Sequence, residues 1–465
     1  MGLQNILHNL PEVQGPVEKK LSFNVKLKWT LIILAAFFIL ANVPLYGLAK
    51  NSLERFQYLA IILGTDFGSI ISLGIGPIVI ASIILQLLVG SKILDIDTKS
   101  EEGKRYFQGL QKMLVYFFII FEALVYVLMN GLQAMPGYTF IVIFQMVLGG
   151  LAIMFMDELM NKWGFGHGVS LFIVAGVGWR LFAGLFQFIG TQGGNCLLNF
   201  SGIDSIGCPG QILVVLQSIM NGDSTGALLA LVAIAVTAVV FLVVVYAQSL
   251  KVEIPLSFDR VRGYSIRWPL QFFYASVIPV ILVSALAANI QLFAGLVESW
   301  VGRATWLGTF SQGTAESGLA FWIAGQRNLI SLAITGSLSI KYLFQGITNT
   351  LFYMVFSVIF AVFWVKTSGM DASSQAKNII SSGLQIPGFR KDERILESVL
   401  ERYIMPLTIM GGAAIGLLAS LADLLGALSG GTSILLAVMI IYQYYTSIAQ
   451  QHAVDMHPAM KKLMS

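Results

Sequence analysis

The stretch that decides the fold is "SLGIGPIVIASIILQLLVG", residues 72–90, which has the apolar character of a membrane helix that begins at a glycine–proline break. Proline is pre-organised for the first turn of a helix and lacks only a donor that would have no partner there. Gly74 and Gly76 therefore mark the restart of a helix. The preceding run "SLERFQYLAIILGTDFGSII", residues 52–71, is half apolar and too short and too charged to cross hydrocarbon alone.

The chain thus uses two apolar pieces where one crossing needs a single piece. Glu54, Arg55 and Asp66 accompany the first piece, and lipid would not accept these charges. Two interpretations remain open from the residues alone. The piece lies either within a partly wet cavity walled by protein or on the membrane surface as an amphipathic helix.

The composition is that of a polytopic membrane protein. Of the 465 residues, 56% are hydrophobic and 11% are charged, with a mean hydropathy of +0.79. About ten stretches approach the roughly 20 apolar residues that span a bilayer. We predict them at residues 29–48, 72–90, 113–129, 140–156, 169–188, 227–247, 270–293, 347–365, 406–425 and 432–448.

Lys and Arg residues predict the orientation, because they concentrate in cytoplasmic loops. They crowd residues 92–105, 251–267 and 366–402, and both ends of the chain carry further lysines. The segments 132–139, 191–226 and 427–431 carry none. We therefore expect both termini in the cytoplasm. The interrupted apolar piece 319–336 is expected to stay outside the membrane, since a crossing there would move the basic loop 366–402 to the other side.

No motif predicts catalysis, a metal or a cofactor. The sequence has no Walker G-x-x-x-x-G-K-[ST], no H-E-x-x-H and no C-x-x-C. Asp157 and Glu158 end a predicted span and are expected to be solvated. Cys196 and Cys208 share one predicted external loop, where oxidation permits a disulfide, although the spacing is equally compatible with two free thiols.

Ten spans divide into two groups of five, and the second group then enters the membrane from the opposite side. This is the parity of an inverted repeat, which many solute transporters share. A transporter is therefore the alternative function. An intramembrane protease is a third class, disfavoured because no Ser–His or paired-Asp arrangement is present.

Several ordered motifs along nearly the whole chain resemble one family. They are "LGIGPIV", "QLLVGS", "FQGLQK", "VEIPL", "IPVIL", "ANIQL", "GFRKDER", "RYIMPLT" and "GALSGGTS", between "LPEV" at residue 10 and "HPAMKKL" in the tail. The chain resembles the SecY family, the channel-forming α-subunits of the Sec protein translocation channel, in its archaeal and eukaryotic-like branch.

The resemblance implies an all-α polytopic membrane protein of about ten transmembrane helices in two pseudo-symmetric inverted halves. The N-terminal half, residues 1–190, holds spans 1–5. The C-terminal half, residues 191–465, holds spans 6–10 and the basic cytoplasmic loops 251–268 and 366–402. An apolar pore ring is implied at Ile75, Val79, Val169, Ile173, Ile281 and Leu436. A plug helix is implied at about residues 53–64, including Leu53, Phe56, Leu59, Ile62 and Gly64.

The family also implies a lateral gate between spans 2 and 3 on one side and spans 7 and 8 on the other. Glu122 and Asn289 match its polar cluster, in which these side chains are expected to pair across helices. Ile80 stands where the family often has a hydroxyl, and Ser82 is the candidate substitute. Cytoplasmic docking is implied at Arg260, Arg262, Arg390 and Lys391.

The function implied is a protein-conducting channel in the cell membrane that translocates unfolded secretory polypeptides and releases hydrophobic segments sideways into the lipid bilayer. The implied partners are small single-span subunits of the SecE/γ-like and β-like kinds, a ribosome or cytosolic motor, and nascent polypeptides that bear signal sequences. No catalytic residue, metal ligand or cofactor is expected.

Overall fold

The fold is described from a computed structural model. It describes residues 10–17, 21–51, 53, 65–96, 100–189, 196, 210–258, 265–275, 277–311, 314–324, 328–382, 384–385, 392–428 and 430–456.

Fourteen helices make up most of the described chain. In chain order they are α1 (Phe23–Ala41), α2 (Gly76–Gly90), α3 (Glu101–Leu128), α4 (Thr139–Trp163), α5 (Gly168–Phe186), α6 (Gln211–Asn221), α7 (Ser224–Ser249), α8 (Ile278–Val301), α9 (Gly318–Ile323), α10 (Leu329–Ile334), α11 (Ile340–Thr367), α12 (Ala372–Ser381), α13 (Glu393–Leu424) and α14 (Gly431–Met456).

Short strands join the helix ends. Their bounds are β1 (Leu48–Asn51), β2 (Leu132–Ala134), β3 (Lys251–Phe258), β4 (Ser265–Gln271), β5 (Thr309–Ser311), β6 (Thr314–Ser317) and β7 (Leu384–Gln385). All pairings are antiparallel: β1 with β2, β5 with β6, and β3 with both β4 and β7. The two basic loops of the sequence thus meet in one three-stranded sheet.

Nine helices of the described chain are long and apolar enough to cross a membrane: α1, α3, α4, α5, α7, α8, α11, α13 and α14. α2 is also apolar but has only 15 residues, about 22 Å of helix, so it is shorter than the roughly 30 Å hydrocarbon core. With α2 these helices match the ten predicted spans in order. The interrupted piece 319–336 forms the two six-residue helices α9 and α10, so neither can cross a bilayer.

α2 is short because the chain before it is folded into turns. Residues 65–75 are bound by local bonds such as Thr65 Oγ1 to Ile71 O (2.6 Å) and Gly68 N to Ser72 Oγ (2.9 Å). Gly74 has a φ of +52°, which a side chain would disfavour. Non-helical backbone at membrane depth requires such internal partners and burial in protein. The glycine–proline break of the sequence is therefore the end of these turns and the first turn of α2.

In lipid the hydrophobic effect contributes little to helix association, so helices associate through close packing, which small residues permit. A Cβ added at Gly416 of α13 would lie 2.5 Å from the carbonyl oxygen of Tyr353 on α11. One added at Gly149 of α4 would lie 1.9 Å from the carbonyl oxygen of Ile70. These glycines fix α13 against α11, and α4 against the turns that precede α2.

Helices of the first five spans touch helices of the last five at two places. α2 packs against α8 and α11, and both α5 and α1 pack against α14. α8 also touches α14, so α2, α8, α14 and α5 are successive neighbours. The contact between α2 and the pair α8 and α11 is called the gate seam below.

Some boundaries differ from the sequence prediction. The seventh span begins at Ile278 and not at residue 270, because residues 265–271 pair with β3 as a strand. The hydroxyl of Tyr274 donates to Met370 O (2.7 Å), and burial raises the pKa of this phenol, which keeps it a neutral donor. The segment between β4 and α8 is thereby held against the end of α11.

Candidate functional site

A large cavity opens between the two groups of helices. Its volume is about 1370 Å³, and it is lined by parts of α2, α3, α4, α5, α8, α11 and α12 together with the N-terminal segment 10–17. Its charged lining comprises five cations and three carboxylates: Lys104, Arg105, Lys112, Lys162, Lys377, Glu12, Asp157 and Glu158. We call this cavity the funnel.

Three of the six ring residues line the funnel: Val79 of α2, Val169 of α5 and Ile281 of α8. All six belong to one apolar cluster, in which five are at most 5% exposed and Val169 is partly buried. They come from α2, α5, α8 and α14, the four helices that are successive neighbours, with Ile75 placed directly before α2. Three of the six predicted residues thus share the funnel lining, and a closed ring of all six stays a prediction.

The position of Val169 is fixed by a carboxylate that the sequence did not single out for this role. Asp157 Oδ1 of α4 accepts a hydrogen bond from Val169 N (2.9 Å) at the N-terminus of α5. A negative group at this end of a helix satisfies orphan N–H groups and the helix dipole. The expectation of a solvated Asp157 therefore missed this contact, although the side chain does line the funnel. No local pattern could have revealed this contact, since the carboxylate and the amide belong to different helices.

Polar residues near the gate seam bind mainly within one side of it. Ser82 Oγ of α2 accepts from Gln111 Nε2 of α3 (2.7 Å) and donates to Ile78 O (2.8 Å). Gly76 lies against Glu122 of α3, since an added Cβ would be 3.0 Å from Glu122 Oε2. Both contacts join α2 to α3.

The predicted pairing of Glu122 with Asn289 is not formed. Asn289 Nδ2 donates to Ala285 O on its own helix (2.8 Å). Within the described part of the chain, Asn289 Oδ1 and both carboxylate oxygens of Glu122 have no hydrogen-bond partner, although both side chains are buried. Sequence alone placed these groups in apolar surroundings but could not give their rotamers.

Gly90, the last residue of α2, is the glycine that lies closest to a side chain on the other side of the gate seam. A Cβ added there would lie 2.6 Å from Cδ1 and 3.2 Å from Cβ of Phe363 on α11. The seam is therefore closed at this point by direct packing of an aromatic ring on backbone.

The remaining predicted residues are only partly described. Leu53, the first residue of the proposed plug, is 1% exposed and packs beside Gly131. Phe56, Leu59, Ile62 and Gly64 lie outside the described residues, as do Arg260, Arg262, Arg390 and Lys391. Cys196 is buried and disulfide-bonded. Cys208 is outside the described residues, and the predicted pairing stays a prediction.

No group of three or more His, Cys, Asp or Glu side chains that could hold a metal occurs in the described part of the chain. Fold and site together define a class: a polytopic α-helical membrane protein in which two groups of spans enclose a funnel lined by charged and aliphatic side chains.

Comparison with known proteins identifies the family within that class. The SecY family model matches residues 69–445. The chain is 42% identical to the protein translocase subunit SecY of Methanothermobacter thermautotrophicus, over 98% of this chain and 96% of that protein. It is 39% identical to the subunit of the same name from Pyrococcus furiosus, over 100% and 99% of the two chains. The chain belongs to the SecY family.

Solved structures agree with this assignment. One described as the structure of a protein-conducting channel is 36% identical, covers 99% of each chain and gives a TM-score of 0.81. Sec61 in a canine ribosome–channel complex from the endoplasmic reticulum is 35% identical, with 99% coverage of each chain and a TM-score of 0.78. The expected all-α fold of spans in two five-helix halves is confirmed by these matches.

Proposed function

We propose that this protein is a protein-conducting channel for unfolded secretory polypeptides. One observation carries the proposal: a charged funnel between the two groups of spans is also lined by the aliphatic side chains of Val79, Val169 and Ile281, which come from three different helices. The named relatives are protein translocase subunits, and one similar structure is of a protein-conducting channel. The solute transporter, the alternative from the span parity, has no support among these relatives.

The physical role of the ring follows from its chemistry. A narrow apolar constriction excludes water and ions by dewetting. Aliphatic side chains also offer a passing peptide backbone no fixed hydrogen-bond partner. The ring formed by Ile75, Val79, Val169, Ile173, Ile281 and Leu436 would limit leakage and still accept any sequence. Residues 53–64 would stopper the other side of the ring.

Lateral release would occur at the gate seam. A segment of about 20 Leu-like residues gains roughly 6 to 12 kcal/mol on entering lipid, whereas a polar chain gains nothing comparable. Apolar segments would therefore leave through the seam without an external energy source, whereas polar chains would not leave there. Ser82, Glu122 and Asn289 are among the polar side chains at or beside this seam, and we assign them to gating.

The funnel would face the cytoplasm, with both termini on that side of the cell membrane. Lys and Arg favour cytoplasmic loops, and the funnel rim carries five of them. The loops that hold β1 and β2, and those that hold β5 and β6, would then face outward. The disulfide predicted between Cys196 and Cys208 would lie on that oxidising side.

A docked partner would supply the driving force for polar clients, because the sequence has no nucleotide-binding motif. Sec61 and the yeast Ssh1 complex are relatives or fold neighbours found in ribosome complexes. We propose a ribosome or cytosolic motor at the basic loops, and single-span SecE/γ-like and β-like subunits in the membrane. The protein itself would perform no catalysis.

The decisive experiment changes the ring. Val79→Asn and Ile281→Asn, both at residues that line the funnel, would hydrate the constriction and raise the ion leak of reconstituted vesicles at least about tenfold, as membrane-potential dyes can measure. Ile119→Asn is the matched control, because Ile119 is 1% exposed in the same cluster but does not line the funnel.

Equal leak from the ring variants and the control would contradict a conducting ring. A transporter would instead lose saturable uptake of a small solute in the ring variants, with no gain in leak.

A further inference from the structure

α6 presents its apolar side outward and its polar side inward. Ile212, Leu216, Ile219 and Met220 are 36%, 49%, 62% and 71% exposed. Their spacing of 0, 4, 7 and 8 residues places them on one face of the helix. Gln217 and Ser218 are only 7% and 8% exposed. A helix at a water-facing surface shows the reverse arrangement.

A tight reversal fixes α6 beside α7. Gly222 is left-handed with a φ of +75°, and Asp223 N donates to Ser218 O (2.9 Å), which is the Schellman end of a helix. Asp223 Oδ1 then accepts from the backbone N–H groups of Thr225 and Gly226 at 3.1 Å each and starts α7. The two helices pack along each other. α6 therefore runs back along the first half of α7.

The depth of α6 follows from that of α7. The apolar run 227–247 of α7 is about 31 Å long, close to the hydrocarbon thickness of about 30 Å. The polar turn 221–224 therefore lies at the membrane boundary. α6 has 11 residues, about 16 Å. It extends from that boundary to roughly the middle of the membrane and cannot cross it.

The exposed apolar surface of α7 continues onto α6. Leu228 and Leu231 of α7 are 47% and 48% exposed in the part of α7 alongside α6. We propose that α6 is a half-depth membrane helix whose outward face binds lipid acyl chains of the bilayer half in which α7 begins. Residues 211–221 are then inside the bilayer. The lack of Lys and Arg in residues 191–226 had instead suggested that they belong to an external loop. The proposal does not depend on what the channel conducts.

Nitroxide scanning of the full chain in lipid vesicles tests the proposal. Leu216→Cys and Ile219→Cys, once labelled, should collide with oxygen several times more often than with a water-soluble nickel chelate, because oxygen concentrates in acyl chains. Leu228→Cys provides the lipid-facing reference and Lys251→Cys, on an exposed strand, the water-facing one. The parent chain treated with the same label gives the blank.

The opposite side of the helix supplies the matched control. A label at Gln217→Cys should collide little with either reagent, since this side chain is buried against the protein. Chelate collisions at positions 216 and 219 as frequent as at position 251 would overturn the proposal in favour of a water-exposed loop. Few collisions with either reagent there would also overturn it, because a second copy or another subunit would then cover the face.

Discussion

A chain of alternating charges links the N-terminal segment to two helices at the funnel rim. Lys112 of α3 lies 3.0 Å from Glu158 of α4, Glu158 lies 3.3 Å from Lys162, and Lys162 pairs with Glu12. Lys162 Nζ also donates to Val13 O (2.5 Å). Single exposed ion pairs contribute little, but this one fastens otherwise irregular chain to a helix end.

Acid should loosen this segment without detaching it, because Lys162 and Trp163 also donate hydrogen bonds to the carbonyl oxygens of Val13 and Gln14. The hydrogen bond from Lys162 holds the pKa of Glu12 below its ordinary value of 4.5. A carboxylate with a depressed pKa stabilises the bound state above that ordinary value and loses this contribution as the pH falls through the lowered one. Glu12 is 65% exposed, so the effect is below about 1 kcal/mol. A nitroxide on Val17→Cys should therefore become more mobile as the pH is lowered from neutral to below 4.5.

Glu12→Gln provides the control for this titration. Its amide cannot carry the charge that attracts Lys162, so the label should be mobile and independent of pH over the same interval. If the Gln variant still released its label only at low pH, another group would be responsible for the tether.

At the scale of elements, the sequence predicted the spans well and the pieces between them poorly. Long apolar runs identify spans because hydrocarbon leaves few alternatives to a helix. The strand β7 was missed since its partner β3 lies more than a hundred residues away in the chain. α6 was missed because an 11-residue apolar helix has the composition of either a loop piece or a membrane piece. The ring residues came from the family resemblance, as their spacing alone fits ordinary packing.

The gate seam allows a prediction about a single methyl group. Gly90→Ala would place a Cβ 2.6 Å from Phe363 Cδ1, and the ring cannot simply swing away because its own Cβ would be 3.2 Å distant. Overpacking of this kind costs about 1 to 3 kcal/mol. Here it destabilises the closed conformation of the gate seam. Export of a reporter with a shortened apolar signal segment should therefore rise about fivefold or more.

Removal of the aromatic side chain of Phe363 tests whether the effect of Gly90→Ala acts through this contact. The double variant Gly90→Ala with Phe363→Ala should return export of the weak client toward that of Phe363→Ala alone, because contacting residues are energetically coupled. Additive effects of the two changes would show that Gly90 acts elsewhere.

The whole molecule has one surface on which its two longest basic loops converge. Ser257 and Phe258 at the end of β3 pair with Gln385 and Leu384 of β7. The segments that follow β3 and β7 carry Arg260, Arg262, Arg390 and Lys391, and they therefore start from one sheet. A partner that recognises one loop would meet the other, which makes a single docking surface the economical explanation of both.

Charge reversal on that surface should selectively weaken the binding of a cytosolic partner. We expect Arg260→Glu combined with Arg390→Glu to lower cosedimentation with ribosomes at least about tenfold, and more so at low salt, because rim charges act through screened electrostatics. Arg267→Glu is the matched control for each of the two single changes: Arg267 lies on β4 of the same sheet, is 77% exposed and already pairs with Glu253 at 3.0 Å. An equal loss in this control would mean that net charge alone governs binding. Undiminished binding of the double variant would place the docking surface on another part of the molecule.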